Sequence, residues 1–279
     1  MKKHGFEGWY FKHQNNNDMI SFIPGQAESE AFIQMISADG SGRFDIPSIS
    51  ENNDIVYAGH CIFSPYGCKI DLPGVKGEII YGKIHPLAGD IMGPFRFFPM
   101  ECRHGVISMM HALDGTLTIH GKQYCFDGGM GYIEKDSGIS FPSSYLWLQC
   151  NNFTKPCSVM VSIAHIPFGC ISFKGFICAV IYENHEYRFA TYNGSRILAD
   201  EPEHICLSRG KFLLALDIVP SHSGHPLHSP IRGRMSGTIH ESINAHVHVR
   251  MWKGGKKIID LSSDSAAYEF VPPSPNIYR

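Results

Sequence analysis

The residues best suited to chemistry lie in the stretch GYIEKD, residues 131–136. Tyr132, Glu134 and Asp136 alternate along it, so a β-strand would place a phenol and two carboxylates on one face. Two neighbouring carboxylates repel each other unless a partner neutralises them or one of them holds a proton. The pattern therefore indicates either an acid–base site or a solvated strand edge.

A second candidate is the N-terminal heptad FEGWYFK, residues 6–12. It holds a single carboxylate, Glu7, among aromatic rings that include Trp9 and Tyr10. This composition is typical of a strand with large side chains on both faces. The carboxylate is then either a structural anchor or an acid placed beside an apolar substrate, and the anchor fits slightly better.

The densest mixture of rings and ionisable groups is the stretch GPFRFFPMECRHG. The rings of Phe97 and Phe98 precede Glu101, and His104 follows it. In an extended chain Glu101 and Arg103 share one face, so the guanidinium can keep the carboxylate ionised. The cluster is either a surface ion pair at the start of a strand or a polar group at the mouth of an apolar cavity.

Motifs for nucleophilic, redox and metal chemistry are missing from the sequence. It contains no GxSxG, no HExxH and no glycine fingerprint that leads from a strand into a helix. His246 and His248 lie at strand spacing on one face and could ligate a metal, but solvated histidines fit better. We therefore expect no metal and no cofactor.

Composition narrows the class of protein further. The net charge is -2 and 18% of the residues are charged, with no basic stripe, so no nucleic-acid partner is expected. The nine cysteines are odd in number, form no CxxC and lie mostly in apolar runs, which indicates a reducing compartment. No signal-type segment and no apolar run of about 18–20 residues is present. We expect a soluble, cytoplasmic protein.

Short strand patterns, separated by turns rich in Gly and Pro, must position these groups. Apolar and β-branched runs recur from residues 19–23 to residues 257–261, and no long stretch has helical periodicity. This predicts an all-β chain. Because exposed sheet edges must be closed or covered, barrels or sandwiches are the expected solution.

A weak internal sequence similarity suggests that the chain consists of two similar halves. Trp9 and Trp147 each lie in an aromatic strand that follows a turn, about half the chain apart, although two core tryptophans could produce the same pattern. Two barrel-like halves would explain this similarity. We place the domains at residues 1–140 and 141–279.

Four stretches resemble the tocopherol cyclase-like family. They fall in order within the first 153 residues, and the downstream half carries less distinctive motifs. The four stretches are FEGWYFK (6–12), FPMEC (98–102), GYIEKD (131–136) and SFPSSYLWLQCN (140–151).

The resemblance implies two lipocalin-like antiparallel β-barrel or sandwich halves, an architecture shared with carotenoid hydratase-type proteins. It also implies a cofactor-free reaction, in which an acid protonates the double bond of a prenylated quinol or polyene, and an oxygen captures the carbocation. A carbocation requires an apolar, water-poor pocket lined with aromatic faces. The candidate acids are Glu7, Glu134 and Asp136. The expected substrate-binding residues are Trp9, Tyr10, Phe97, Phe98, Glu101, His104, Tyr132 and Trp147.

Two other functions fit the same residues. A non-catalytic lipocalin-like carrier would use the rings only to bind a hydrophobic molecule, and its carboxylates would pair with Arg or Lys. A metal-dependent enzyme would use the histidines. In the cyclase and carrier interpretations the partner is a hydrophobic small molecule, and a peripheral membrane contact would serve to collect it.

Overall fold

The computed structural model describes residues 5–16, 18–28, 30–168, 171–221 and 224–273. Strands dominate these ranges, and the helices among them are two short 3-10 turns, Gly93–Phe97 and Thr191–Asn193. The strands form two large antiparallel sheets. The predicted all-β class with two lipocalin-like halves is confirmed.

The first sheet has twelve strands in the order β4-β3-β2-β1-β12-β10-β9-β8-β7-β6-β5, and β11 pairs with β10. Its strands are β1 (Phe6–Asn15), β2 (Asp18–Ala27), β3 (Glu30–Ser37), β4 (Gly40–Ile46), β5 (Ile49–Asn52), β6 (Ile55–Ala58), β7 (Cys61–Ser64), β8 (Gly67–Leu72), β9 (Val75–Tyr81), β10 (Cys102–Ile119), β11 (Lys122–Cys125) and β12 (Met130–Gly138).

The second sheet has ten strands in the order β16-β15-β14-β13-β22-β21-β19-β18-β17, and β20 pairs with β21. Its strands are β13 (Tyr145–Cys150), β14 (Cys157–Phe168), β15 (Ile171–Tyr182), β16 (His185–Ala190), β17 (Arg196–Glu201), β18 (His204–Arg209), β19 (Phe212–Val219), β20 (His225–Ile231), β21 (Arg234–Lys253) and β22 (Lys256–Val271).

Each sheet curls around its own apolar core. In the first, Phe11 of β1 and Phe63 of β7 are far apart in strand order, yet their ring centroids are 5.0 Å apart. In the second, the ring centroids of Tyr187 in β16 and Phe212 in β19 are likewise 5.6 Å apart, although the two strands are distant in strand order. A strongly twisted antiparallel sheet of this length curls because its twist accumulates from strand to strand.

The described chain divides into two compact units. The first unit comprises Met1–Gly89, Cys102–Ser140 and Leu227–Thr238, and the second comprises the remaining residues. The chain passes from the first unit to the second between Ser140 and Phe141. Two short segments, Asp90–Glu101 and Leu227–Thr238, group with the unit that does not contain their neighbours in sequence.

The strands that bear Trp9 and Trp147 occupy equivalent places in their sheets. β1 lies between β2 and β12, and β13 lies between β14 and β22. The tryptophans nevertheless face different ways. Trp9 belongs to the core of the first unit, whereas Leu146 and Leu148 of β13 fill the core of the second and Trp147 alternates with them.

None of the helical segments in the described ranges is long and apolar enough to span a bilayer.

Candidate functional site

β12 presents a row of ionisable side chains on the face of the first sheet that lies away from its core. Ile133 of this strand belongs to the core, so Tyr132, Glu134 and Asp136 alternate onto the opposite face. This is the arrangement expected from their spacing. β12 lies between β1 and β10, so residues from three strands can surround this row.

Tyr132 and Glu134 form the most buried part of the row. The Tyr132 hydroxyl donates a hydrogen bond of 2.6 Å to Oε2 of Glu134. The exposed fractions of the two residues are 0% and 5%. Burial and the neighbouring Glu134 carboxylate raise the pKa of the Tyr132 phenol well above its usual range. The phenol therefore stays protonated and acts as a hydrogen-bond donor to Glu134.

His104 of β10 connects the two carboxylates. The antiparallel register places it directly opposite Asp136. Its Nδ1 lies 2.9 Å from Oδ1 of Asp136, and its Nε2 lies 3.5 Å from Oε2 of Glu134. One imidazole thus faces a carboxylate from each ring nitrogen. The four side chains form a continuous path from Tyr132 through Glu134 and His104 to Asp136, which we call the relay.

β1 borders the relay on its other side. Tyr10 lies opposite Glu134 in the register of β1 and β12, and Lys12 lies opposite Tyr132. The Tyr10 hydroxyl accepts a hydrogen bond of 2.9 Å from Oγ of Ser21 in β2. Lys12 is only 1% exposed. A lysine so fully buried is rare in proteins.

Lys12 and Ser21 were not among the residues expected at the site. The alternation of β1 contained the signal for Lys12, because a residue two positions after Tyr10 must share its face. Ser21 had no such signal, since its place follows from the pairing of β1 with β2.

Glu7 lies in a different environment from the relay. Its Oε1 is 3.0 Å from Nζ of Lys135, and Nε2 of Gln26 donates to its Oε2 at 3.2 Å. Lys135 also lies 2.8 Å from Glu51 and 4.5 Å from the centre of the Trp9 ring. Partial burial lowers the pKa of the Lys135 ammonium, but the bonds to Glu51 and Glu7 outweigh this effect and raise the pKa overall. The geometry gives Glu7 a cationic partner, as an anchor would have.

The other expected substrate-binding residues belong to the second unit. Trp147 is 6% exposed, whereas Phe97 and Phe98 are 76% and 42% exposed. Glu101 is exposed just before β10. Within the described ranges Glu101 and Arg103 do not form an ion pair.

A metal could be held at one place in the described chain. The ligand atoms of His104, Glu134 and Asp136 all lie within 4.8 Å of one another. An imidazole with two carboxylates suits zinc or manganese. The same atoms, however, serve the hydrogen bonds of the relay, so a metal would have to displace them.

His246 and His248, considered from the sequence as metal ligands, each pair with an aspartate instead. Nδ1 of His246 lies 2.6 Å from Asp264, and Nε2 of His248 lies 2.7 Å from Asp260. Each histidine thus has its own aspartate from β22. The two imidazoles form surface ion pairs or hydrogen bonds and do not converge on one point.

Solved structures with a similar fold cover nearly the whole chain. A protein of Nitrosomonas europaea assigned as AttH matches with a TM-score of 0.61 at 13% identity, over 98% of this chain and 94% of that one. CghA matches with a TM-score of 0.60 at 11% identity, over 97% and 89%. Kievitone hydratase from Nectria haematococca matches with a TM-score of 0.53 at 10% identity, over 96% and 89%. At these identities the likeness concerns the fold.

The sequence comparisons point to one family. A probable chloroplastic tocopherol cyclase of Oryza sativa subsp. japonica is 24% identical over 188 residues, which cover 62% of this chain and 40% of the rice protein. The sequence model of the tocopherol cyclase-like family matches residues 75–271. The chain therefore belongs to the tocopherol cyclase-like family.

Proposed function

We propose that the protein is a cofactor-free acid–base catalyst that closes a ring on a prenylated quinol, or hydrates a related double bond. The observation that carries this proposal is the relay, in which the buried Tyr132–Glu134 pair is connected through His104 to Asp136. Family membership and a relative named as a tocopherol cyclase support the same type of reaction.

Cyclisation needs a proton at one atom and releases one at another. In the catalytic form Glu134 is protonated, and its carboxyl gives this proton to a carbon of the prenyl double bond while the π bond breaks. The phenol oxygen of the substrate then bonds to the resulting cation and loses its own proton to a base. Atoms and charge balance without an external oxidant or reductant, because the product is an isomer of the substrate.

The relay can supply both proton transfers. Glu134 lies at its buried end, with 7% of its side chain exposed, and Asp136 lies at its more open end, with 20% exposed. His104 lies between them, so a proton taken up near Asp136 can return to Glu134 through the imidazole. An imidazole suits this task because its two nitrogens accept and donate on opposite sides of the ring.

The hydration reaction uses the same side chains. A water oxygen takes the place of the phenol oxygen, and the proton it loses goes to the base. One fold neighbour is named as a hydratase. The choice between the two outcomes depends on whether the site excludes water while the cation exists.

A proton-transfer assay in heavy water tests the proposal. The purified protein is incubated with a methylated hydroquinone that bears a prenyl chain. We expect a product of the same elemental composition that carries one deuterium on carbon. Replacing Glu134 by Gln or Asp136 by Asn should lower turnover by about 10²–10⁴-fold, as is usual when an acid–base group is lost.

Ligand binding separates the enzyme from a carrier. If the protein binds the hydroquinone but forms no product, and Glu134→Gln binds it equally well, the relay is structural and the protein is a carrier. Retained binding with lost turnover in Glu134→Gln supports catalysis.

A further inference from the structure

Two adjacent phenylalanine rings project from the second unit. Phe97 is 76% exposed and Phe98 is 42% exposed. The other large exposed apolar residues of the described chain occur singly in sequence. Scattered apolar residues on a surface are ordinary, but two consecutive exposed rings need a separate explanation.

The segment that bears these rings is held in a fixed conformation. The Tyr192 hydroxyl donates to the carbonyl of Ile91 at 2.8 Å, just before the 3-10 turn. Gly93 has a φ of +53°, and a Cβ there would lie 2.6 Å from the Tyr192 ring. The ring of Phe95 stacks on Phe173 of β15 with centroids 5.9 Å apart. Phe95 therefore anchors the turn. The ring of Phe98 lies 6.3 Å from that of Phe95 and is partly exposed, and the ring of Phe97 is largely exposed.

The backbone of the turn satisfies its own hydrogen bonds. The N–H groups of Phe95, Phe98 and Met100 each donate to a main-chain carbonyl within the segment, at 2.9–3.1 Å. Pro94 and Pro99 have no N–H to satisfy. A segment whose N–H donors are paired enters an apolar medium at a lower cost than one with free donors.

The charge of the turn is positive. Residues 93–100 contain one ionisable side chain, Arg96, whose guanidinium lies 4.6 Å from the centre of the Phe97 ring. The turn contains no carboxylate. An arginine beside exposed apolar rings complements a surface on which anionic headgroups cover hydrocarbon.

We propose that residues 93–99 form a membrane-docking turn that inserts Phe97 and Phe98 among the lipids of an anionic phospholipid surface. Arg96 contacts the headgroups in this arrangement. The inference does not depend on the proposed chemistry, because a carrier and an enzyme would both use such a contact to reach an apolar ligand. It assigns the two rings to a docking surface, where the sequence had suggested a binding pocket.

Vesicle co-sedimentation tests the docking turn. Full-length protein is mixed with vesicles of phosphatidylcholine alone, or of phosphatidylcholine and phosphatidylglycerol in equal parts. We expect binding to the vesicles that contain phosphatidylglycerol. The double variant Phe97→Ser and Phe98→Ser should bind about tenfold or more weakly, because each exposed ring contributes apolar area. Arg96→Glu should remove the preference for phosphatidylglycerol.

A matched control excludes a general effect of exposed aromatic residues. Tyr66 is also 76% exposed but stands alone in the first unit, and Tyr66→Ser should bind vesicles as the parent protein does. The proposal is overturned if the parent protein binds neither vesicle, or if the double variant binds as well as the parent. It is also overturned if the rings mediate only self-association, seen as a dimer in sedimentation velocity that the double variant loses without any vesicle binding.

Discussion

Tyr132 and Glu134 lie two residues apart on one strand and are joined by a 2.6 Å hydrogen bond that is almost completely buried. Because successive residues of a strand point to opposite faces, the intervening Ile133 packs into the core and leaves this pair on the opposite face of the sheet. A single strand thus supplies both a buried carboxyl group and the hydrogen-bond donor that orients it.

Tyr132→Phe should impair turnover more than it impairs folding. Loss of the phenol removes the donor that orients Glu134, and loss of one oriented donor typically lowers turnover by about 10²–10³-fold. Stability should fall by about 1–3 kcal/mol, since a buried acceptor loses its partner. Turnover and urea unfolding are measured together.

Tyr124→Phe is the matched control for this variant. Tyr124 is 7% exposed, belongs to the same unit and donates to Asp39 at 3.1 Å, so it also loses a hydrogen bond between a phenol and a carboxylate. Its turnover should remain at the parent level. Equal losses of turnover in both variants would show that Tyr132 acts only through stability.

Glu7→Gln should leave catalysis intact. Glu7 pairs with Lys135, which shares its charge with Glu51, so the variant loses one partly exposed ion pair worth about 1 kcal/mol or less. Lys135→Met should lower the free energy of unfolding by a larger amount, because it removes both ion pairs and the contact with Trp9. Thermal unfolding and turnover distinguish the roles: a large fall in turnover with unchanged stability would make Glu7 the acid.

Stability should fall as the pH is lowered below neutrality. His13 and His111 are buried in the first unit, and burial lowers their pKa values from 6.5 to about 4 and about 3. Below pH 6.5 the unfolded chain therefore binds more protons than the folded protein, so the free energy of unfolding decreases as the pH falls. Each histidine contributes up to about 1.4 kcal/mol per pH unit in this window.

Urea unfolding between pH 7 and pH 5 measures this slope. The double variant His13→Gln and His111→Gln will be less stable, yet its stability should depend less on pH, because neither position can then take up a proton. An unchanged slope would assign acid sensitivity to other groups.

Zinc should inhibit the proposed turnover without being required for it. His104, Glu134 and Asp136 are close enough to bind a zinc ion, and binding would occupy the atoms that the proposed proton transfers need. Turnover should survive treatment with a chelator, fall on addition of zinc and return when the chelator is restored. Loss of turnover on chelation, with recovery on metal addition, would instead identify a metalloenzyme.

Local patterns allowed the strands and part of the site to be predicted. The alternation of Tyr132, Glu134 and Asp136 follows from the two-residue period of a strand, and the aromatic heptad is a strand buried on both faces. The all-β class followed from strand patterns that recur along the whole chain, and the family followed from four short stretches within the first 153 residues.

Pairing between distant strands could not be predicted in this way. His104 reaches Asp136 only because β10 pairs with β12 in one register, with bulges between Val106 and His111. Lys135 likewise reaches Glu51 and Glu7 across strands. A sequence shows which side chains share a face of one strand, but the partner strand is chosen by packing of the whole sheet.

The position of β1 determines when the central strands of the first sheet can pair during synthesis. β1 leaves the ribosome well before β12, so one of its edges waits for β12, and Tyr10 meets Glu134 only after more than a hundred further residues have been translated. At about 5–20 residues per second this takes several seconds at least, during which an apolar strand edge is exposed. A nascent chain of this protein should therefore depend on chaperones until β12 is made, and removal of β1 would open the sheet between β2 and β12.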